Sequence, residues 1–172
     1  MDQYGLYKKV CDSIFPFPEI EIKVFKPSFQ KPFFWLNMGI TVSIKERLNF
    51  LCIEFLWALA SGFRYKLYYI LDENKVVHTS FCIYSCFKFP FMKTRECVQI
   101  GPCRTDSLYR GRNYYPAVID CICKSEVGKT VYMIIRDANI PSINGAHKAG
   151  LKKIANLQKS HHLKIYTIKE RI

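Results

Sequence analysis

Apolar and polar residues alternate over two neighbouring stretches in the first half of the chain. Residues 64–71 read RYKLYYIL, four polar residues follow at 72–75, and the alternation resumes over Val76–Tyr84. Alternation with a period of two is typical of a strand with one buried face, and a short polar turn between two such stretches is typical of a hairpin. We therefore expect two antiparallel strands here.

Four other segments have the composition of strands. Residues 19–25, EIEIKVF, alternate charged and apolar positions, and the others are Cys97–Thr105, Val131–Ile135 and His162–Ile168. The remaining residues before position 40 are rich in Pro and Phe. Because proline interrupts helices, they are predicted to be extended chain packed on the domain.

The longest predicted helix runs from Ser43 to Ser61. Ser43 is a suitable N-terminal cap, and Glu46 stands three residues later, in the arrangement of a capping box. Gly62 is placed to end the helix. After Phe50 the segment is apolar nearly all round, so we expect it to be deeply buried.

Two shorter helices are predicted in the second half. Residues 114–124 repeat apolar positions four apart, with Pro116 in the first turn, where its missing N–H costs little. Ser142–Ala149 is a second helix, ended by Gly150. Helices and strands thus follow one another along 172 residues, which predicts one mixed α/β (α+β) domain with a central sheet flanked by helices.

Composition narrows the class of protein only in part. Apolar residues make up 49% of the chain, and 26 basic against 14 acidic residues give a net charge of +12. Such an excess favours anionic partners without choosing among cofactors, nucleic acid and membrane surfaces. The longest apolar run, residues 50–60, is shorter than the ~20 residues that span a bilayer, so no membrane span is expected.

Eight cysteines lie mostly within apolar runs, no CxxC pair occurs, and no apolar leader opens the chain. We expect reduced, buried thiols and a cytoplasmic protein. A zinc site would have to use His78, Cys82, Cys86 and Cys97. Their spacing matches no standard zinc module, so no metal is expected.

The segment from Val98 to Cys123 predicts an anion site. It combines a strand, a basic turn containing glycine, and a helix. The first N–H groups of a helix have no partner within it and attract phosphate. Arg110 and Arg112 add planar donors suited to phosphate oxygens.

This segment resembles the pyrophosphate-binding turn of the GNAT family of N-acetyltransferases, Q/R-x-x-G-x-G/A at a strand–helix junction. The matching residues run from Arg110 to Tyr115, RGRNYY. A second match, residues 137–154, has Asn139 and Gly150 at the positions of the family's later Asn and Gly. The two matches and the hairpin cover residues 64–170 and imply a GNAT-like domain with a mostly antiparallel sheet.

The resemblance implies acetyl-CoA as co-substrate and divides the chain into a cofactor-binding core, residues 63–172, and a divergent acceptor side, residues 1–62. The backbone of the basic turn would hold the pyrophosphate, and the preceding strand edge would bind the pantetheine arm as an added strand. The implied cofactor-binding residues are Cys103, Arg104, Thr105, Arg110, Gly111, Arg112, Asn113, Tyr114, Tyr115, Asn139 and Ser142.

The chain departs from the family pattern at three positions. Asn113 replaces the central glycine, Tyr115 replaces the final Gly or Ala, and Ala146 stands where many members have a tyrosine that acts as general acid. Asparagine is the next-best residue for a left-handed backbone angle. His78 is the candidate general base, because its imidazole titrates near neutrality; a purely structural histidine is the alternative.

The sequence therefore predicts an acetyltransferase that moves an acetyl group from acetyl-CoA to a small-molecule amine by direct attack. The form RGRNYYP is weakly similar to GNAT-like proteins of surface-polysaccharide synthesis, which suggests an amino sugar. A non-catalytic acyl-CoA-binding or regulatory module is the alternative. Nucleic-acid binding is motivated only by charge and aromatic content. The oligomeric state is left open, a dimer included.

Overall fold

The computed structural model describes residues 3–10, 20–37, 44–84, 86, 88–92, 94, 96–160 and 165–172. The capping residue Ser43 and the histidines at 161 and 162 lie outside the described residues. In chain order the elements are β1 (Tyr4–Val10), β2 (Lys23–Phe25), α1 (Phe34–Asn37), α2 (Ile44–Ser61), β3 (Tyr65–Asp72), β4 (Lys75–Ile83), β5 (Cys97–Thr105), α3 (Tyr114–Ser125), β6 (Thr130–Arg136), α4 (Ile140–Lys148), β7 (Lys152–Lys159) and β8 (Tyr166–Arg171).

The strands form one sheet in the order β2-β3-β4-β5-β6-β1-β7-β8. All neighbouring pairs are antiparallel except β5 and β6, which run parallel. Parallel neighbours need a crossover connection, and α3 supplies it. The predicted mixed α+β class with a mostly antiparallel sheet is confirmed.

The central elements agree with the sequence patterns. The hairpin is formed by β3 and β4, β5 has the predicted bounds, and α3, β6 and α4 differ from prediction by one or two residues at their ends. Gly62 and Gly150 end their helices with φ of 60° and 83°. In both cases the next residue's N–H bonds five residues back, to Ala58 and Ala146, which is the Schellman arrangement.

The sequence patterns do not predict strands β1 and β7, and β1 lies where extended chain is expected. Their sequences, YGLYKKV and KKIANLQK, carry lysines that mask the alternation. Strand β1 is central nonetheless, because β6 and β7 pair with its two edges. The predicted strand at 19–25 is shortened to β2, and the last strand lies at 166–171 rather than 162–168.

Helices cover the two faces of the sheet differently. On one face, α3 packs on β3–β6 through a single large core that includes Val118, Ile119 and Ile122. On the other face, α1 and α2 pack on β3 and β4 through an aromatic cluster around Phe34, Trp35 and Tyr69. Aromatic pairs of this kind stabilise beyond their buried area.

The expectation that α2 is deeply buried is wrong. Its buried residues are Glu54, Ala58, Ala60 and Ser61. Leu48, Leu56 and Leu59 are each more than half exposed. The reason is that only one stripe of an 18-residue helix faces the sheet, and there a carboxylate fixes α2 to α1.

That carboxylate belongs to Glu54, which is fully buried. It accepts the backbone N–H groups of Phe34 at 2.8 Å and Trp35 at 3.2 Å, and the hydroxyl of Tyr65 at 2.8 Å. Burial raises the pKa of Glu54, although these three hydrogen bonds oppose the shift. A buried carboxylate is tolerated when its oxygens are hydrogen-bonded.

Candidate active site

The chain turns sharply between β5 and α3. A short 3₁₀ turn at Ser107–Tyr109 leads to Gly111, with φ of 79°, and to Asn113, with φ of 59° and ψ of 16°. The expected left-handed angle at Asn113 is thus present. Asn113 makes no side-chain cap, so the first N–H groups of α3 are left to face the turn.

Positive side chains surround this helix terminus. Arg110 is exposed, and the guanidinium of Arg112 lies 4.7 Å from the ring centre of Tyr109. Lys148 reaches across from the end of α4, with its Nζ 3.4 Å from Oδ1 of Asn113. An uncapped helix terminus and nearby cations are features that attract anions.

The turn opens into a cavity of about 520 Å³ on the α3 side of the sheet. Ten of the eleven predicted cofactor-binding residues line it: Cys103, Arg104, Thr105, Arg110, Gly111, Asn113, Tyr114, Tyr115, Asn139 and Ser142. Arg112 stands outside the lining, beside Tyr109. Sequence reasoning did not select Tyr109, Pro141, Asn144 and Gly145, which also line the cavity.

One wall of the cavity is the free edge of β5. Strand β5 pairs with β6 only from Cys97 to Ile100. Beyond Ile100 it stays paired with β4 through Cys103, Arg104 and Thr105, while no β6 residue is paired with 101–105. The two parallel strands thus separate, and the edge of β5 is available to an extended ligand.

Tyr115 fills the space between α3 and α4. A Cβ atom at Gly145 would lie 2.4 Å from its ring, so only glycine fits opposite it. The Tyr115 hydroxyl lies 3.9 Å from Sδ of Met133, a weak acceptor. Burial is the main cause that raises the pKa of Tyr115. The hydroxyl therefore stays protonated at the place where β5 and β6 separate.

Asn139 begins α4 as its N-terminal cap. Its Oδ1 accepts the N–H of Ser142 at 3.3 Å. Both residues line the cavity, but this hydrogen bond shows that Asn139 also serves the helix itself.

His78 lies on β4 beneath the edge of β5. Its Nδ1 is 2.8 Å from the Thr105 hydroxyl and its Nε2 is 2.8 Å from the Ser80 hydroxyl. Burial lowers the pKa of His78 to about 4 and raises the pKa of Cys103 to about 12. Both groups are therefore uncharged at neutral pH, and His78 is a weak base there.

A second cavity, of about 400 Å³, lies on the opposite face, between α1–α2 and strands β4 and β5. Its lining includes Trp35, Glu46, Phe50, Lys75, Arg104 and Asp106. Arg104 lines both cavities, yet its guanidinium lies in the second one, 4.1 Å from the ring centre of Phe50. Arg104 is thus a lining residue that the two cavities share.

The described residues hold no group of three or more His, Cys, Asp or Glu side chains that could bind a metal ion. In the zinc alternative, His78 is engaged by two hydroxyls, and Cys82, Cys86 and Cys97 are free thiols. Within the same part of the chain, no helix is both long and apolar enough to cross a membrane.

Comparison with solved structures identifies the fold. The chain is similar to an acetyltransferase of the GNAT family from Colwellia psychrerythraea, with a TM-score of 0.61, 12% identity, and 91% of this chain against 54% of that one. A GCN5-related N-acetyltransferase from Sphaerobacter thermophilus matches with a TM-score of 0.54 and 12% identity, and the match covers 90% of this chain and 49% of that one. A putative GNAT acetyltransferase from Novosphingobium aromaticivorans matches with a TM-score of 0.50 and 14% identity, and the match covers 90% of this chain and 62% of that one.

The domain therefore has the GNAT fold, as its sequence motifs implied. It spans about half to three-fifths of the length of these structures. No protein-family profile matches the chain, and no curated protein sequence does.

Proposed function

We propose that this chain is an acyl-CoA-dependent N-acetyltransferase that transfers an acetyl group from acetyl-CoA to a small-molecule amine. The observation that carries the proposal is that two features follow one another along the same cavity. The free edge of β5 leads directly to the uncapped terminus of α3. An extended arm that ends in phosphates matches this order of sites, and coenzyme A has that form.

The residues of the cavity fit the cofactor. The N–H groups of α3, with Gly111 leaving open space above the turn, would hold the pyrophosphate. Arg110, Arg112 and Lys148 would neutralise its charge. The backbone of Cys103 and Thr105 would bind the pantetheine arm as a strand, and Asn139 and Ser142 would contact the arm from α4.

When bound, acetyl-CoA supplies an activated thioester carbonyl. The amine nitrogen forms a bond to the carbonyl carbon, the C–S bond breaks, and the thiolate takes up the proton that the amine releases, giving an amide and free coenzyme A. Positioning of the two reactants supplies much of the rate. The neutral hydroxyl of Tyr115 is a hydrogen-bond donor close to the point where β5 and β6 separate.

We assign His78 a positioning role in this scheme. An imidazole with a pKa of about 4 is a poor acceptor of an ammonium proton. It holds the Thr105 hydroxyl instead, and Thr105 lies on the strand that would bind the arm.

The acceptor would enter from the second cavity, on the side formed partly by the divergent residues 1–62. An amino sugar is the suggested acceptor, on the strength of the RGRNYYP turn. Because acetyl-CoA and reduced thiols are abundant in the cytoplasm, we place the reaction there.

A domain that binds acetyl-CoA without turnover is the second candidate, favoured by Ala146 in the place of the family's tyrosine.

Calorimetric titration with acetyl-CoA tests the cofactor site. Gly111→Asp is expected to weaken binding at least tenfold, because it puts an anion where phosphate would lie. Gly128→Asp is the matched control, since Gly128 also has a positive φ, 80°, and open space but lies beyond α3. Equal affinity in folded Gly111→Asp protein would contradict the proposal. Thiol release with an amine panel separates the enzyme from the non-catalytic module.

A further inference from the structure

The second cavity contains charged groups of both signs. Lys75 and Arg104 are its cations, and Glu46 and Asp106 are its anions. Lys75 and Asp106 pair with each other, with 2.8 Å between Nζ and Oδ2. Among the described residues, no salt bridge joins Arg104 to a carboxylate, although the charges of Arg104 and Asp106 interact, and Arg104 is an exposed residue.

A stack of aromatic rings holds this guanidinium in place. Trp35 and Phe50 are stacked, with ring centres 4.6 Å apart and an angle of 27° between planes. Arg104 lies on Phe50 at 4.1 Å. A guanidinium that lies on a ring keeps its N–H donors free in its own plane, and holding it beforehand reduces the entropy lost on binding.

Glu54 holds the backbone on one side of the stack. Its carboxylate binds the N–H groups of Phe34 and Trp35, and Trp35 is thereby fixed against Phe50. Arg47, on the first turns of α2, also donates to the Trp35 carbonyl oxygen at 2.7 Å. The wall of the cavity therefore presents a planar donor group whose anionic neighbour, Asp106, is already paired with Lys75.

We propose that Arg104 binds a carboxylate group of the acceptor, so that the acceptor is a primary amine that also carries a carboxylate. This inference rests on the proposed function for the identity of the reaction, but not for the binding of the anion. A guanidinium pairs with a carboxylate through two parallel hydrogen bonds. Glu46 lies one helical turn from Phe50 on the same face and supplies the negative charge that favours an amine. An amino sugar satisfies this requirement when it also carries a carboxylate, as an aminohexuronic acid does.

Matched acceptor pairs test the proposal. Each pair consists of an amine with a carboxylate and its neutral amide: an ω-amino acid with its amide, and an aminohexuronic acid with its carboxamide. A hexosamine 6-phosphate forms a third arm. Binding is measured by calorimetry with and without coenzyme A, and turnover is measured by thiol release. We expect the carboxylates to bind about tenfold to hundredfold more tightly than the amides.

Variants at Arg104 assign the effect to this residue. Arg104→Met keeps the stem on Phe50 and is expected to abolish the preference for carboxylates. Arg104→Lys keeps the charge but loses the planar fork and should retain only part of the preference. Arg171→Met, on the exposed edge strand β8, is the control.

The outcomes separate the two proposals. If the protein binds acetyl-CoA but uses amides and carboxylates equally, the inference is overturned and the proposed acetyltransferase function is not. A preference for the hexosamine 6-phosphate over the carboxylates has the same consequence. Carboxylate binding that is lost in Arg104→Met, in a protein that does not bind acetyl-CoA, supports the inference and removes the proposed function. Carboxylate preference that survives in Arg104→Met also overturns the inference.

Discussion

Helices α2 and α3 are both rich in apolar residues, yet the fold uses them differently. The 12-residue α3 buries seven residues between Pro116 and Cys123, of which only Asp120 is charged. The 18-residue α2 buries only four, and one of these is the carboxylate of Glu54. Apolar composition thus did not predict burial. What distinguishes the helices is their anchor, which is an apolar core for α3 and a hydrogen-bonded carboxylate for α2.

The largest effect is expected from removing the anchor of α2. Glu54→Ala leaves two backbone N–H groups and the Tyr65 hydroxyl without their acceptor in a buried place, and we expect a loss of about 5 kcal/mol of unfolding free energy. Urea denaturation measures it. Glu54→Gln keeps one acceptor oxygen and should lose less. Equal stability of Glu54→Ala and the native protein would show that the Glu54 carboxylate does not anchor α2.

Removing the anchor of α3 comes next. Ile119 is fully buried in the large core, and Ile119→Ala is expected to lower the unfolding free energy by about 4 kcal/mol through lost burial and a cavity. The same denaturation experiment applies, and Ile119→Val serves as the smaller step. A loss below about 1 kcal/mol would mean that α3 is not held by this core.

The two faces should also differ in their response to pH. His78, on the α3 face, has a folded-state pKa of about 4, below its ordinary value of 6.5, so the folded state binds fewer protons than the unfolded state. Its contribution is complete above pH 6.5 and falls by about 3 kcal/mol as the pH drops to 4. His78→Gln should show less acid sensitivity over this range.

Glu54 should behave in the opposite way. Burial raises its folded-state pKa, so its contribution is complete below the ordinary pKa of a glutamate and decreases as the pH rises through the folded value. The difference in unfolding free energy between the native protein and Glu54→Gln, followed from low pH upward, tests this sign. A native protein that gains stability against this variant on raising the pH would contradict it.

The smallest effect is expected on the outer face of α2. Leu56 is 60% exposed, and Leu56→Glu should change the unfolding free energy by no more than about 0.5 kcal/mol. The contrast with Ile119→Ala is the direct test of the comparison between the helices. A loss of several kcal/mol would show that another surface covers Leu56 in solution.

The sequence predicts those elements whose signals are local. The turn and helix at 110–125 and the glycine caps at 62 and 150 depend on nearby residues, and the structure confirms them. Strand β1 depends on partners far along the chain, and its Lys9 is buried with its Nζ bonded to the Ala149 carbonyl oxygen. No window around YGLYKKV contains that information.

The candidate site shows the same division. The residues around Gly111 come from one segment and could be selected by motif. Alternation along β5 would have separated Arg104 from its neighbours Cys103 and Thr105, whose side chains point to the other face. The stack of Arg104 on Phe50 and Trp35 could not be predicted, because it depends on how α1 and α2 cross the sheet.

The central place of β1 has a consequence for protein synthesis. Tyr4 faces Arg136 on one side and Leu157 on the other, so β1 is synthesised before both of its neighbours in the sheet. Strands β3 to β6 and α3 can assemble while translation proceeds, but β1 has both of its neighbouring strands only once β7 has been made. Until then two sheet edges stay open, and nascent chains are most exposed to mispairing in that interval.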